Sequence, residues 1–520
     1  MRFGFLIDQR RCIGCHACTV ACKQEQDVPL GVFRTWVKYI EKGAFPNTRR
    51  HFTVLRCNHC DDAPCVAICP TKALYRRADG IVDFDTSRCI GCKSCMQACP
   101  YDALYIDPRE HTAMKCNFCA HRVDVGLKPA CEIVCPETAI VSGDLDDPAS
   151  KISQLVAREP VSVRKPEQGT QPKLFYIDAD ALTLTPGLSR REGATMWGQI
   201  APGGYAASGG SAASAYPTSA PSPAHLPLPE GVVRDVYDVA HQRPWGPLVS
   251  AYLWTKSIAA GTLAVPAFVV LTGARPAEPL GLGAGALAVV FILATAALLV
   301  GDLKRPERFW YILAKPNFRS WLVWGGYGLF AFGAVAAAWG GAHLFDLKGL
   351  LVPLAGAAVP LAAFAAAYSG FLFGQAEGRD FWQSPLLPLH LLVQATVAGA
   401  GALLLAVSLA GGTQGPLLGT VLAGGIGFHA LFVAAELTGR HANRDVRAAA
   451  HAMTGGRDAP LFWWGAVAVG MALPWILLVA HVVGLVPSGV AGSAAAVAAL
   501  AGLLAYEESW IRAGQSVPLS

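Results

Sequence analysis

Every cysteine of this 520-residue protein, sixteen in all, lies between Cys12 and Cys135. Sulfur at that density commits the segment to disulfides or to thiolate-bound metal. Four groups can be read directly: Cys12, Cys15, Cys18 and Cys22; Cys57, Cys60, Cys65 and Cys69; Cys89, Cys92, Cys95 and Cys99; Cys116, Cys119, Cys131 and Cys135. The first and third follow C-x₂-C-x₂-C-x₃-C, in which three thiolates on one loop grip three corners of an iron–sulfur cubane and the fourth serves a neighbouring cluster. The second inserts two extra residues before its third cysteine, and the fourth opens that gap to eleven. Disulfide frameworks belong to oxidising compartments, and the opening residues MRFGFLIDQRRCIGC carry no signal-peptide pattern. Metal is therefore the expectation. Zinc ribbons also use C-x₂-C pairs, but they need no third cysteine three residues on and a fourth four later. Pro70, Pro100 and Pro136 follow three of the four final cysteines, a pattern that predicts a helix beginning there.

The apolar residues sit at the other end. A net charge of +5 is mild and gives no footing for nucleic acid. Residues 1–178 read as a loop-rich α+β domain, with short β-like runs at Phe52–Leu55, Gly80–Phe84 and Leu104–Ile106. Residues 179–244 read as a linker, Gly/Ala/Ser/Pro-rich from 201 to 229 and too poor in apolar surface to order itself. Trp245 then reads as an interfacial anchor. Eight apolar stretches follow, at 248–271, 281–300, 320–340, 350–372, 387–410, 416–437, 460–482 and 486–506. A helix of about 20 apolar residues crosses a bilayer, so 245–520 reads as an all-α membrane domain. Its even number of spans puts both ends on one side.

The four cysteine groups resemble the iron–sulfur subunits of the dimethyl sulfoxide, polysulfide and formate oxidoreductases, over about residues 1–178. The resemblance implies a ferredoxin-like fold and four [4Fe–4S] clusters with cross-paired ligands. One cluster takes Cys12, Cys15, Cys18 and Cys135, and its partner Cys116, Cys119, Cys131 and Cys22. The inner pair takes Cys57, Cys60, Cys65 with Cys99, and Cys89, Cys92, Cys95 with Cys69. Further on, GDLKRPERFWYILAKPNFRSWLVWG (301–325), YSGFLFGQAEGRDFWQSPLLPLH (368–390) and the closing AGQSVPLS are similar to the NrfD-type anchor of polysulfide reductase. That likeness implies menaquinone or ubiquinone and no haem. His343, His390, His429 and His481 agree, being scattered in depth without paired spacing.

On the side of the N-terminal domain, the loops and span ends carry Lys304, Arg305, Arg308, Lys315, Arg319, Arg379, Arg440, Arg444, Arg447, Arg457 and Arg512. The opposite loops carry only Arg275 and Lys348. The positive-inside rule makes the first side cytoplasmic, in a prokaryotic inner membrane. Polar residues inside spans are costly and mark function. Lys256, Tyr368, His390 and Glu436 fall in the half-membrane nearest the cysteine-rich domain, and Asp302 caps the same side. Together they suit a quinone headgroup and its protons. The blander alternatives are a snorkelling Lys256, a belt aromatic at Tyr368, and a Glu436 paired with Arg440 one turn on. No nucleotide fingerprint or nucleophile–base set stands out, so the sequence reads as a non-catalytic electron-transfer subunit. The resemblance implies a molybdenum or tungsten bis-pterin partner acting on sulfite, polysulfide, a sulfoxide or formate. A nickel–iron hydrogenase link and an ion translocator without quinone are the other readings.

Overall fold

The computed structural model of the protein describes residues 1–44, 46–191, 194–195, 198–199, 233–273, 278–410 and 415–520. They form two compact units: Met1–Pro244 with Ala376–Gly378 and Val517–Ser520, and Trp245–Gln375 with Arg379–Ser516. Arg275 and the 201–229 stretch lie outside the described residues.

In the first unit the apolar run Phe3–Asp8 is a central strand. It pairs in parallel with Leu174–Ile177 and antiparallel with Ile140–Asp144. The helix Lys151–Arg158, capped by the Ser150 hydroxyl accepting from Ser153 N–H, buries Ile152 against Leu6, Val141 and Ile177. A second sheet is the long hairpin Thr35–Ala44 and Asn47–Arg56, joined on its other edge by Val233–Tyr237. Two small hairpins, Leu74–Arg76 with Val82–Phe84 and Leu104–Ile106 with Ala113–Lys115, separate the second, third and fourth cysteine groups. In both C-I-G-C loops the glycine before the second cysteine, Gly14 or Gly91, has positive φ (72° and 70°). Any side chain would be strained there.

Two expectations need correction. The final cysteines do not begin helices. Pro64–Ile68 and Ser94–Ala98 end at Cys69 and Cys99, both extended, and Cys22 lies inside Ala17–Glu25. Pro70 and Pro100 therefore stop a helix, because proline cannot continue one. Within 179–244, Val233–Tyr237 is a paired strand and not linker. Its VRDVY alternation is short and sits beside a proline-rich stretch that masks it.

Close to that strand, His241 donates from Nδ1 to Asp102 (2.7 Å) and faces Asp238 at 3.4 Å, with Ser520 Oγ 3.2 Å from Nε2. Burial would depress this imidazole, but Asp102 and then Asp238 outweigh it and raise its pKa to about 9. The folded pKa is raised, so the contribution to stability is complete below the unfolded value of about 6.5 and is lost as pH rises through about 9. The melting temperature of the full-length protein in detergent is expected to fall between those pH values. The fall should be shallower in His241→Gln, and equal slopes would remove His241 from the account.

Among the described residues the second unit holds eight helices long and apolar enough to span a membrane: Pro247–Leu271, Leu280–Gly301, Trp321–Leu344, Lys348–Gly374, Leu387–Ala410, Gly415–Thr438, Leu461–Val482 and Gly489–Gly514. Trp245 is no belt residue. It is buried against Trp382 and Phe373, and its backbone exchanges two hydrogen bonds with the Gln515 side-chain amide. Those bonds tie the start of the bundle to its end. Small residues set the closest helix crossings, as membrane packing favours. A Cβ at Gly261 would strike the Ala395 carbonyl, and one at Gly399 would strike the Gly261 backbone. The first and fifth spans thus meet backbone to backbone. Gly399→Leu is expected to cost about 1–3 kcal/mol or more by overpacking, read as a lower detergent melting temperature. An unchanged value would contradict the crossing.

Candidate functional site

Each cysteine loop contributes three sulfurs to one place and its fourth to another. Cys12, Cys15 and Cys18 line a cavity of about 350 Å³ with Cys135. Cys116, Cys119 and Cys131 line one of about 300 Å³ with Cys22. Cys89, Cys92 and Cys95 line one of about 390 Å³ with Cys69. Cys57, Cys60, Cys65 and Cys99 are all buried and act on one another electrostatically. Among the described residues no three His, Cys, Asp or Glu side chains converge closely enough for one metal ion.

Donors stand close to these sulfurs, although Asp85 and Glu137 also line two of the cavities. N–H groups approach the sulfurs: Ala139 to Cys135 (3.2 Å), Gly91 and Ala113 to Cys89 (3.4 Å each), His59 to Cys57 (3.4 Å). Arg56 Nη1 donates to Cys131 Sγ at 2.9 Å. Arg56 and Lys115 are fully buried, and neither meets a carboxylate among the described residues. Lys115 Nζ has the Val82 and Cys116 carbonyls as acceptors. Unpaired buried cations are costly, so the wall that Arg56 lines suits an anionic occupant. A cubane with four thiolates carries a charge of about −2 when oxidised and accepts hydrogen bonds at sulfur. Residues and group fit. Burial is the largest cause that pushes Cys18 and Cys99 up to about 11, and Cys92 and Cys116 up to about 12. Loading metal must therefore displace protons.

The membrane unit gathers most of its candidate residues into two adjoining groups. In the first, Lys256 is wholly buried rather than snorkelling. Its Nζ donates to the Ala366 carbonyl (2.9 Å) and Ser369 Oγ (2.8 Å) and lies 4.9 Å from the Tyr368 ring. That ring packs on Gly325, where a Cβ would overlap it, so Tyr368 is buried and not an interfacial belt residue. Glu507 is also buried. It acts electrostatically on Lys256, and its Oε1 has no hydrogen-bond partner among the described residues.

In the second group His390 joins Glu436 (Nδ1 to Oε1, 3.2 Å) and His429 (Nε2 to Nδ1, 2.8 Å). Tyr506 donates to Glu436 Oε2 at 3.3 Å. Glu436 thus faces His390 and Tyr506, while Arg440 is exposed. The two groups are linked by the eighth span, on which Tyr506 and Glu507 are consecutive. Asp302 is only half-buried, at the end of the second span, and acts electrostatically on Tyr252.

Sequence reasoning misses the parts played by His429, Ser369, Tyr506 and Glu507. By spacing alone the histidines look scattered, yet two of them touch. Nε2 of His390 and Nδ1 of His429 stand at a hydrogen-bond distance of 2.8 Å. The eighth apolar stretch ends at residue 506, whereas the helix runs unbroken to Gly514. The signal is present: AYEESWIRAG contains no breaker before that glycine.

Residues 235–518 match the family described as "Polysulphide reductase, NrfD", and residues 48–145 match a 4Fe-4S dicluster domain. The protein is 43% identical to the B subunit of the tetrathionate reductase of Salmonella typhimurium over 203 residues, 38% of its own length and 81% of the relative's. It is 42% identical to the corresponding B component of the polysulfide reductase of Wolinella succinogenes over 181 residues, 34% of its own length and 94% of the relative's. Against the arsenate respiratory reductase iron–sulfur subunit of Shewanella sp. it is 37% identical over 227 residues, 34% of its own length and 96% of the relative's.

Proposed function

Because this protein belongs to the NrfD polysulphide reductase family and carries a 4Fe–4S dicluster domain ahead of that part, we propose that it relays electrons through four [4Fe–4S] clusters between a catalytic partner and membrane quinone. It is an iron–sulfur electron-transfer subunit fused to its own multi-pass membrane anchor. The observation that carries the four-cluster reading is the lining of three separate cavities by cross-paired cysteine sets, with a fourth set of buried cysteines left over. The holders would be Cys12, Cys15, Cys18 and Cys135; Cys22, Cys116, Cys119 and Cys131; Cys57, Cys60, Cys65 and Cys99; and Cys69, Cys89, Cys92 and Cys95. When bound, such clusters exchange single electrons at potentials set by charge, hydrogen bonds and solvent. The protein's own part is to exclude water, to donate N–H groups to sulfur and to hold fixed positive charge nearby.

Quinone is the substrate proposed for the membrane unit. Its reduction takes two electrons and two protons, so a site needs donors for the carbonyls and groups that move protons. Lys256 and Tyr368 would bind the headgroup. His390 and Glu436, with Tyr506 and Glu507 beside them, would carry protons, and Asp302 stands at the rim. Buried ionisable residues that pair with one another in a span support this reading.

By the family resemblance of its cysteine groups, the partner would be a molybdenum or tungsten bis-pterin subunit acting on sulfite, polysulfide, a sulfoxide or formate. The loop asymmetry of lysine and arginine favours a prokaryotic inner membrane with the iron–sulfur unit in the cytoplasm. Anaerobic purification of the native complex tests the whole proposal. About sixteen iron and sixteen labile sulfide per copy, with a large subunit that holds molybdenum or tungsten, is the expected composition. A few zinc ions and no reducible iron would overturn the cluster reading, and nickel would replace the partner with a hydrogenase.

A further inference from the structure

Arg56 ends the long hairpin strand, one residue before Cys57. Its side chain is fully buried, and the guanidinium carbon lies 4.6 Å from the centre of the Phe5 ring. Nη1 donates to Cys131 Sγ at 2.9 Å. Nε and Nη2 are buried and have no partner among the described residues. Arg56 lines the cavity whose sulfurs are Cys22, Cys116, Cys119 and Cys131. Cys131, Cys116 and Cys18 are the sulfurs that act on it most strongly. Cys18 belongs to the adjoining set.

A buried guanidinium with two idle nitrogens is costly unless an acceptor fills the cavity. Arginine offers five donors in a fixed fork. One already meets the Cys131 sulfur, and a cluster held in this cavity would offer its sulfur atoms as acceptors to the others. Each reduction adds one electron and breaks no bond, so the occupant becomes one unit more negative. A fixed positive charge in a dry wall favours that reduced form, as do hydrogen bonds to sulfur. The other cavity walls offer less: Arg11 is exposed, and Lys93 presents a point charge rather than a fork.

We propose that Arg56 is a tuning residue that raises the reduction potential of the cluster held by Cys22, Cys116, Cys119 and Cys131, and less strongly that of the cluster reached through Cys18. It thereby makes this pair the place where an electron rests. The proposal rests on the four-cluster reading. It goes beyond that reading by assigning an energetic order to otherwise similar sites. Arg56 acts through sulfur and is not a catalytic residue.

The test is an EPR-monitored redox titration of the full-length protein, with iron counted in every sample. A Cys131→Ser variant identifies the signal of the cluster in question. In Arg56→Met the reduction equilibrium of that cluster should fall at least tenfold, 59 mV for a one-electron couple. The cluster of Cys69, Cys89, Cys92 and Cys95 should not move. Arg56→Lys keeps the charge, loses the fork and should fall between. Unchanged potentials with full iron would overturn the proposal. So would loss of the cluster from both variants, which would make Arg56 an assembly residue. Absence of reducible iron from the unmodified protein would instead sink the four-cluster reading itself.

Discussion

Lys256→Met is expected to lower quinone-linked electron transfer about 100-fold or more, the range typical of a removed proton-transfer group, while leaving iron content and dithionite reduction intact. The size follows from the setting. The ammonium is wholly buried, held by the Ala366 carbonyl and Ser369 Oγ, and opposed by the buried carboxylate of Glu507. Methionine matches its length but supplies neither charge nor donor, and it strands Glu507. Turnover with a soluble naphthoquinol or naphthoquinone checks this. Glu507→Gln should restore part of the folding of Lys256→Met without restoring turnover, because it removes the stranded charge and not the missing donor. Undiminished turnover in Lys256→Met, with clusters intact, would take Lys256 out of the quinone site.

The second large effect is chemical and positional. Cys69→Ser should remove the cluster gripped by Cys89, Cys92 and Cys95, not the one gripped by its own loop neighbours Cys57, Cys60 and Cys65. Iron should drop from about sixteen to about twelve per copy. Electron flow to quinone should nearly stop, since clusters in series fail at any missing link. The same outcome from Cys99→Ser, with the other inner signal lost, would complete the reciprocal pattern. If Cys69→Ser instead erased the signal that Cys65→Ser erases, the cross-pairing would be wrong.

How much of this is legible in the residues differs between the two halves. Seven of the eight apolar runs predict their helices within a few residues, because bilayer thickness dictates span length, and the eighth stops well short of its helix end at Gly514. Cysteine spacing announces cubane loops for a comparable reason, since three sulfurs must reach three corners of one object. What spacing cannot reveal is tertiary. His390 and His429 lie on different spans and meet only after folding, so a search for periodic pairs passes over them. Glu507 resembles loop because hydropathy falls where a helix carries acids, although helical propensity persists to Gly514. Val233–Tyr237 is a strand only because Thr35–Ala44 offers it an edge. The prolines after the cysteines mark helix boundaries, but in the opposite direction to the one their position suggests. Pro70 and Pro100 follow helices that have just ended, and the helical turn before each carries the third cysteine of its group.

The direct test of the central claim is anaerobic stopped-flow absorbance of the dithionite-reduced, full-length protein in lipid nanodiscs mixed with a short-tailed menaquinone analogue. The account predicts that the bleached iron–sulfur absorbance returns promptly in the unmodified protein and slowly in Lys256→Met. Clusters that stay reduced in both, or that reoxidise equally fast in both, would contradict it.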